Sequence, residues 1–145
     1  MWHKSFTILT KEVNANQVWT VITDINRWNE WDDEIEFTKL VGEPKFGASF
    51  ELKPKEGPIT QLNISQFDKP SIFADIAHLP LAKMETIHTM SQTLEGLVIR
   101  VDIKIKGFLS LLWIRVIGNK QIESGPDQTK KLIERAKLIS NQLNE

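Results

Sequence analysis

The final third of the chain carries an apolar stripe around which the rest of the sequence is organised. From about Gly107 to Leu143 the sequence reads as helix, and Ile122, Thr129, Leu132, Ile133, Ala136, Ile139 and Leu143 recur at three- and four-residue spacing. That spacing lines them along one helical face, while Lys130, Lys131, Glu134, Arg135 and Lys137 fall elsewhere. Such a stripe needs a partner surface. What precedes it is almost entirely strand-like, so the partner is a sheet, and the space between helix and sheet is where function is to be sought.

In chain order, Ser5 to Lys11 alternates Phe6 and Ile8 with Thr7 and Leu9, the pattern of a first strand. Asn14 followed by Gln17 is a capping box for a helix whose buried face is Val18, Trp19, Val21 and Ile22. Asp24 restarts the chain into a second short helix. Trp19, Trp28 and Trp31 make this helical pair a plug for one end of the core.

Six further strands are expected between Asp33 and Gly107. The first, Glu34 to Val41, places Ile35 and Phe37 on one face; the second, Ala48 to Lys53, presents Ala48, Phe50 and Leu52. Ile59 to Phe67 presents Leu62 and Ile64. Ser71 to Ala77 is ambiguous, because Ile72, Ala74 and Ile76 compete with Phe73, Asp75 and Ala77 for the inner face. A loop at His78–Leu81 leads to the last hairpin. With Glu95–Gly96 as its turn, Leu94 opposes Leu97, Met90 opposes Val101 and His88 opposes Ile103. Ile99, Val101, Ile103 and Ile105 then share one buried face with His88 and Met90. A slip of one residue would turn both out to solvent.

The implied architecture is α+β: a curved seven-stranded antiparallel sheet wrapped around a long C-terminal helix, with two short helices between strands 1 and 2. At 145 residues the chain fits one domain, 1–145, with a core that needs no staple. The absence of cysteine excludes thiol nucleophiles, thiolate metal sites and disulfides. A net charge of -1 gives no electrostatic case for nucleic acid. The N-terminal residues lack a signal-peptide pattern, no apolar run approaches the ~20 residues of a membrane span, and a cytoplasmic location is expected.

Together with this order of elements, the stretch Val18-Trp19-Thr20-Val21-Ile22-Thr23-Asp24-Ile25-Asn26-Arg27-Trp28-Asn29-Glu30-Trp31 resembles the START-like, helix-grip superfamily (SRPBCC), and within it the polyketide cyclase/dehydrase-like branch. The likeness covers nearly the whole chain. It implies a hydrophobic ligand cavity between sheet and C-terminal helix, and it implies no particular reaction, because carriers, receptors, cyclases and regulators share the scaffold.

The lining expected from alternation is Ile35, Phe37, Phe50, Leu62, Ile64, Phe73, His88, Met90, Ile99, Val101, Ile103 and Trp113, each of which would serve equally as solid core. His88 is the one histidine placed inside, as a proton-transfer group, a hydrogen-bond partner for a ligand, or a histidine satisfied by a neighbour. Thr86 and Gln92 accompany it, and Asp75 joins only if its strand faces inward. The acidic run Asp32-Asp33-Glu34 reads as a solvated edge, since neighbouring carboxylates on a strand diverge and no histidine is near. No metal or cofactor motif occurs.

Phe108 to Ile117 carries a single charge, Arg115. It is either the buried start of the long helix or a lid touching a membrane transiently, and Gly125-Pro126 is expected to kink or break the helix behind it. Two functions follow: binding or carrying a small hydrophobic molecule (lipid, isoprenoid or polyketide-like), or a cyclase/dehydratase using His88. A protein-interaction module is the third reading.

Overall fold

A computed structural model describes residues 1–143, with side chains through Leu138; Ile139 and Leu143 of the expected stripe lie outside the described side chains. The order is β1 (Trp2–Thr10), α1 (Ala15–Ile22), a 3₁₀ helix (Ile25–Glu30), β2 (Ile35–Leu40), β3 (Ser49–Pro54), β4 (Thr60–Asp68), β5 (Ile72–Leu79), β6 (Ala82–Thr93) and β7 (Gly96–Lys106). Then come α2 (Ser110–Trp113), a π turn (Ile114–Gly118) and α3 (Asn119–Leu143). Among the described residues the seven strands make one curved antiparallel sheet, ordered β1-β7-β6-β5-β4-β3-β2. This is the expected helix-grip arrangement.

The capping box forms as read: Asn14 accepts from the Gln17 amide at 2.9 Å and Gln17 accepts from the Asn14 amide at 2.6 Å. Asp24, by contrast, makes no side-chain cap, which fits a tight 3₁₀ turn that starts on its backbone carbonyl. Val18, Trp19, Val21 and Ile22 are all buried. The aromatic plug is built on Phe73. Trp28 stands edge-on to Phe50 and Phe73 with centroids 5.5 and 6.2 Å away, and Trp19 meets Phe67 and Phe73 at 4.9 and 6.4 Å. The Trp28 indole donates to the Ile22 carbonyl at 3.0 Å, which satisfies its buried polar end.

Two bulges correct the simple alternation. In β2 the ladder slips at Glu36, and beyond it Thr38 and Leu40 are the buried positions, so Phe37 leaves the inner face and is half-buried. In β4 the slip falls at Ser65, which turns Phe67 inward onto Trp19 although Leu62 and Ile64 set the opposite parity. The expected loop before β6 is instead a tight turn at Pro80–Leu81, with Leu79 opposite Ala82.

The last hairpin is displaced from the expected register by two residues. Thr93 opposes Gly96, so Leu94–Glu95 is the turn, Met90 faces Ile99 and His88 faces Val101. An even slip preserves the face, and His88 and Met90 remain inward. The reason lies in the neighbouring strand. Gly96 sits at φ +136 beneath Thr10, where a β-carbon would fall 2.6 Å from the Thr10 carbonyl oxygen, so only glycine can open β7 alongside the end of β1. The Thr93 hydroxyl closes the turn by donating to the Gly96 carbonyl at 2.8 Å.

On α3, Thr129, Leu132, Ile133 and Ala136 are buried and Ile122 is half-buried, packed chiefly against α1 and β1. Lys131, Arg135 and Lys137, off the stripe, pair with Asp33, Glu30 and Glu12 at 2.8, 2.6 and 3.2 Å. Of the kink or break expected at Gly125-Pro126, the break does not occur, and α3 runs through Pro126. Gly125 lies flat against the Phe6 ring, the Thr129 hydroxyl donates to the Gly125 carbonyl at 2.9 Å, and the buried turns that follow hold the helix despite the bond proline removes. The irregularity sits earlier, in the π turn.

Gly96→Ala is expected to lower stability by about 2–3 kcal/mol in urea unfolding, the strain of a wrong φ together with the clash. Leu94→Ala, in the fully exposed turn, changes it by less than about 0.5 kcal/mol.

Candidate functional site

Phe73 decides which face of β5 looks inward. It is completely buried in the aromatic plug, and the two-residue period of a strand carries Asp75 and Ala77 to the same side. Across the β5–β6 ladder His88 lies opposite Phe73, Thr86 opposite Asp75 and Met84 opposite Ala77. On the other side of β6, Val101, Ile103 and Ile105 complete these rows. Directly opposed side chains stand about 5 Å apart at their β-carbons, and diagonal ones about 7–8 Å, so Asp75, Thr86 and His88 form one polar island in an apolar face.

The electrostatics of the island follow from burial. Asp75 is 7% exposed, and no side-chain hydrogen bond to it is present among the described residues. Desolvation, with the Glu85 charge next in importance, pushes its carboxyl up to about 7. His88 is half-buried, but its Nδ1 is shut off from solvent and has no hydrogen-bond partner. Burial pulls the imidazole down to about 4, so it is neutral near pH 7. A neutral imidazole offers one donor and one acceptor, and a half-protonated carboxyl offers both.

Of the other expected lining residues, Ile35, Phe50, Leu62, Ile64, Met90, Ile99, Val101 and Ile103 are buried in the same core cluster as Phe73. The structure therefore brings nine of the expected positions together in one buried core cluster and leaves Phe37 and Trp113 outside it. Phe37 is turned away by the bulge. Trp113 lies off the sheet, half-buried, its indole donating to the Pro80 carbonyl at 2.9 Å, because the chain leaves β7 toward the β5–β6 turn before helix begins. Gln92 is exposed near the tip of the hairpin. Thr86 is half-buried, opposite Asp75 on the ladder.

Two open hollows flank this core. One of about 440 Å3 is lined by His78, Leu79, Leu81, Ala82, Lys83, Lys106 and Gly107. Another of about 300 Å3 runs between β1 and α3 past Ile8, Thr10, Glu12, Lys130 and Ile133. Neither includes the polar island.

The acidic run proves less solvated than expected. Asp33 is exposed and bridges to Lys131, which holds its carboxyl below the usual range, whereas Asp32 accepts from the Glu34 amide at 3.0 Å and burial raises it to about 6. Near it the Trp31 Nε1 and the Gln128 Oε1 are buried without partners. No alternation pattern signals this, because it depends on α3 lying over the turn. Among the described residues, no group of three or more metal-ligating side chains converges.

Solved structures share this architecture at low sequence identity. A START superfamily protein from Mycobacterium smegmatis is 10% identical, with 92% of this chain and 97% of that one aligned and a TM-score of 0.72. A Thalictrum norcoclaurine synthase point mutant, in complex with a transition-state analogue, is 12% identical over 97% of both chains, with a TM-score of 0.69. The di-domain aromatase/cyclase StfQ of the steffimycin biosynthetic pathway is 12% identical at a TM-score of 0.71; this chain spans 52% of its length. Neither a protein-family model nor a curated protein matches the sequence. These likenesses show the helix-grip fold alone. No described helix is long and apolar enough to cross a membrane.

The two shifts act oppositely on stability. Asp75 binds a proton in the folded chain between pH 3.8 and about 7 while the unfolded chain does not, so its contribution falls as pH rises through that window. His88 is the reverse: between about 4 and 6.5 only the unfolded chain is protonated, so its contribution falls as pH drops. Asp75→Asn is therefore expected to stabilise the protein at pH 8 by about 1–4 kcal/mol, with the gain vanishing near pH 4, in urea titrations across pH. His88→Phe instead reduces the loss of stability on acidification from pH 6.5 to 4.

Proposed function

We propose that this chain binds or carries a small, mainly apolar molecule that bears one polar group, seated on the inner face of the sheet under the C-terminal helix. The observation that carries this reading is the unpartnered, buried Nδ1 of His88 beside the buried Asp75 carboxyl. Buried polar groups are normally hydrogen-bonded, and here the protein supplies neither partner, so a ligand hydroxyl or carbonyl completes the island. Thr86 lies between them and adds a rotatable hydroxyl. Met84, half-buried in the next row of the same face, accepts part of the apolar body. Lipids, isoprenoids and polyketide-like compounds all fit this chemistry.

A second reading is favoured by the separated titrations of Asp75 and His88. Two ionisable groups driven apart by one environment are the usual ingredients of acid–base chemistry. In a cyclase- or dehydratase-type reaction the proton-transfer role then moves from His88, too weak a base at about 4, to Asp75 at about 7. His88 would orient the substrate instead. The aromatase/cyclase and the norcoclaurine synthase lend this alternative their fold alone.

Native mass spectrometry of the protein purified from its own cells is expected to show an excess mass, released on denaturation as an apolar compound. His88→Phe, which keeps an apolar ring, should weaken that ligand by roughly tenfold, the worth of one hydrogen bond, without unfolding the chain. A bare chain mass, together with no thermal shift against fatty acids, isoprenoids and aromatic polyketides, would overturn the binding reading.

A further inference from the structure

The segment after β7 is amphipathic in the wrong direction for a core helix. Phe108 is 88% exposed, Leu111 78%, Val116 54% and Leu112 48%, and α2 contains no buried residue. All four lie between the end of β7 and the end of the π turn and are exposed to solvent. The opposite side is the one that is fixed. Trp113 bonds the Pro80 carbonyl, the Leu109 amide donates to the Leu81 carbonyl at 3.0 Å, and Gly118 sits against Ile105 and the Trp2 ring. The apolar side is thus held outward by design of its backing, and Leu81, 65% exposed in the adjoining turn, extends it.

Charge surrounds this patch on one sign. Lys83 and Lys106 are directly opposed across the β6–β7 ladder, both exposed, and both line the hollow beside Leu81 and Gly107. Like charges placed opposite one another disfavour the ladder, and among the described residues neither has a carboxylate within 4 Å. Arg115, one turn beyond Leu111 and Leu112, is also exposed and unpaired among the described residues. Three exposed cations with no carboxylate partner among the described residues thus lie beside this apolar tip.

We propose that this end of the molecule, the α2–π-turn tip with the Pro80–Leu81 turn, docks on an anionic phospholipid surface. Phe108, Leu111, Leu112 and Leu81 enter the headgroup–acyl boundary, and a lipid phosphate occupies the hollow between Lys83 and Lys106. A second copy of the chain is disfavoured as occupant, because a two-fold contact through this patch would set the same lysines and arginine against themselves. The docking tip uses none of Asp75, Thr86 or His88, so it stands independently of what the inner face binds.

The test is flotation of the full chain with vesicles of phosphatidylcholine alone and of phosphatidylcholine mixed with phosphatidylserine, at low and high salt. Expected is binding to the anionic vesicles that salt weakens. The double variant Lys83→Gln/Lys106→Gln should reduce partitioning by roughly thirtyfold. Phe108→Asp/Leu111→Asp, exposed positions whose replacement leaves the melting temperature unchanged, should abolish it. No flotation with either vesicle, or flotation unchanged in both variants, overturns the proposal. So does a concentration-dependent dimer in sedimentation that Phe108→Asp/Leu111→Asp dissolves while vesicles stay unbound, which would make a second copy the occupant.

Discussion

The packing of Phe73 is the contact on which the rest of the molecule depends. Its ring receives Trp19 from α1, Trp28 from the 3₁₀ helix and Phe67 from β4, so one side chain joins the helical plug to the sheet. Aromatic edges against faces at 6.2 to 6.4 Å favour this arrangement beyond the burial of their area. Once Phe73 is inward, strand pleating leaves no choice about Asp75. A carboxyl is carried into apolar surroundings as a consequence of burying a phenyl ring two residues earlier. The protein keeps a costly group there, and desolvation pushes its carboxyl up to about 7.

The helix-grip fold positions this face beneath α3 without pressing the helix onto it. The helix packs chiefly on α1 and β1, at one side of the sheet, and its ion pairs to Glu12, Glu30 and Asp33 all run to the elements before β2. Surface pairs of this kind contribute little each, about 0–1 kcal/mol, but they orient the helix over the plug. The polar island on β5 and β6 therefore belongs to the sheet. The tip at Phe108–Val116 joins sheet to helix, and its α2 contains no buried residue. An island within and a cation-flanked apolar tip without occupy separate surfaces of one scaffold.

Much of this was legible before the fold was known. Capping at Asn14, the buried face of α1, the alternation of β7 and the stripe on α3 all arise from local periodicity, and local periodicity survives folding. So did the inward placement of His88 and Met90. That outcome owed something to parity: the hairpin register differed by two residues, and only an odd slip changes the face. What local pattern could not show were the bulges at Glu36 and Ser65, where one extra residue reverses the count of every position beyond it. Phe37 was displaced by the first and Phe67 recruited by the second.

The sequence by itself determined the element order, the architecture and most of the inner apolar face, because burial of alternating and helical stripes admits few other solutions. Tertiary structure alone decided the site. Whether Asp75 pointed in or out depended on Phe73 finding Trp19 and Trp28, residues more than forty positions earlier in the chain. The exposure of Phe108, Leu111 and Leu112 depended on Trp113 reaching Pro80, and the pairing of Lys83 with Lys106 on the register set by Gly96 beneath Thr10. Each is a contact between distant segments, and no spacing within a single segment encodes it.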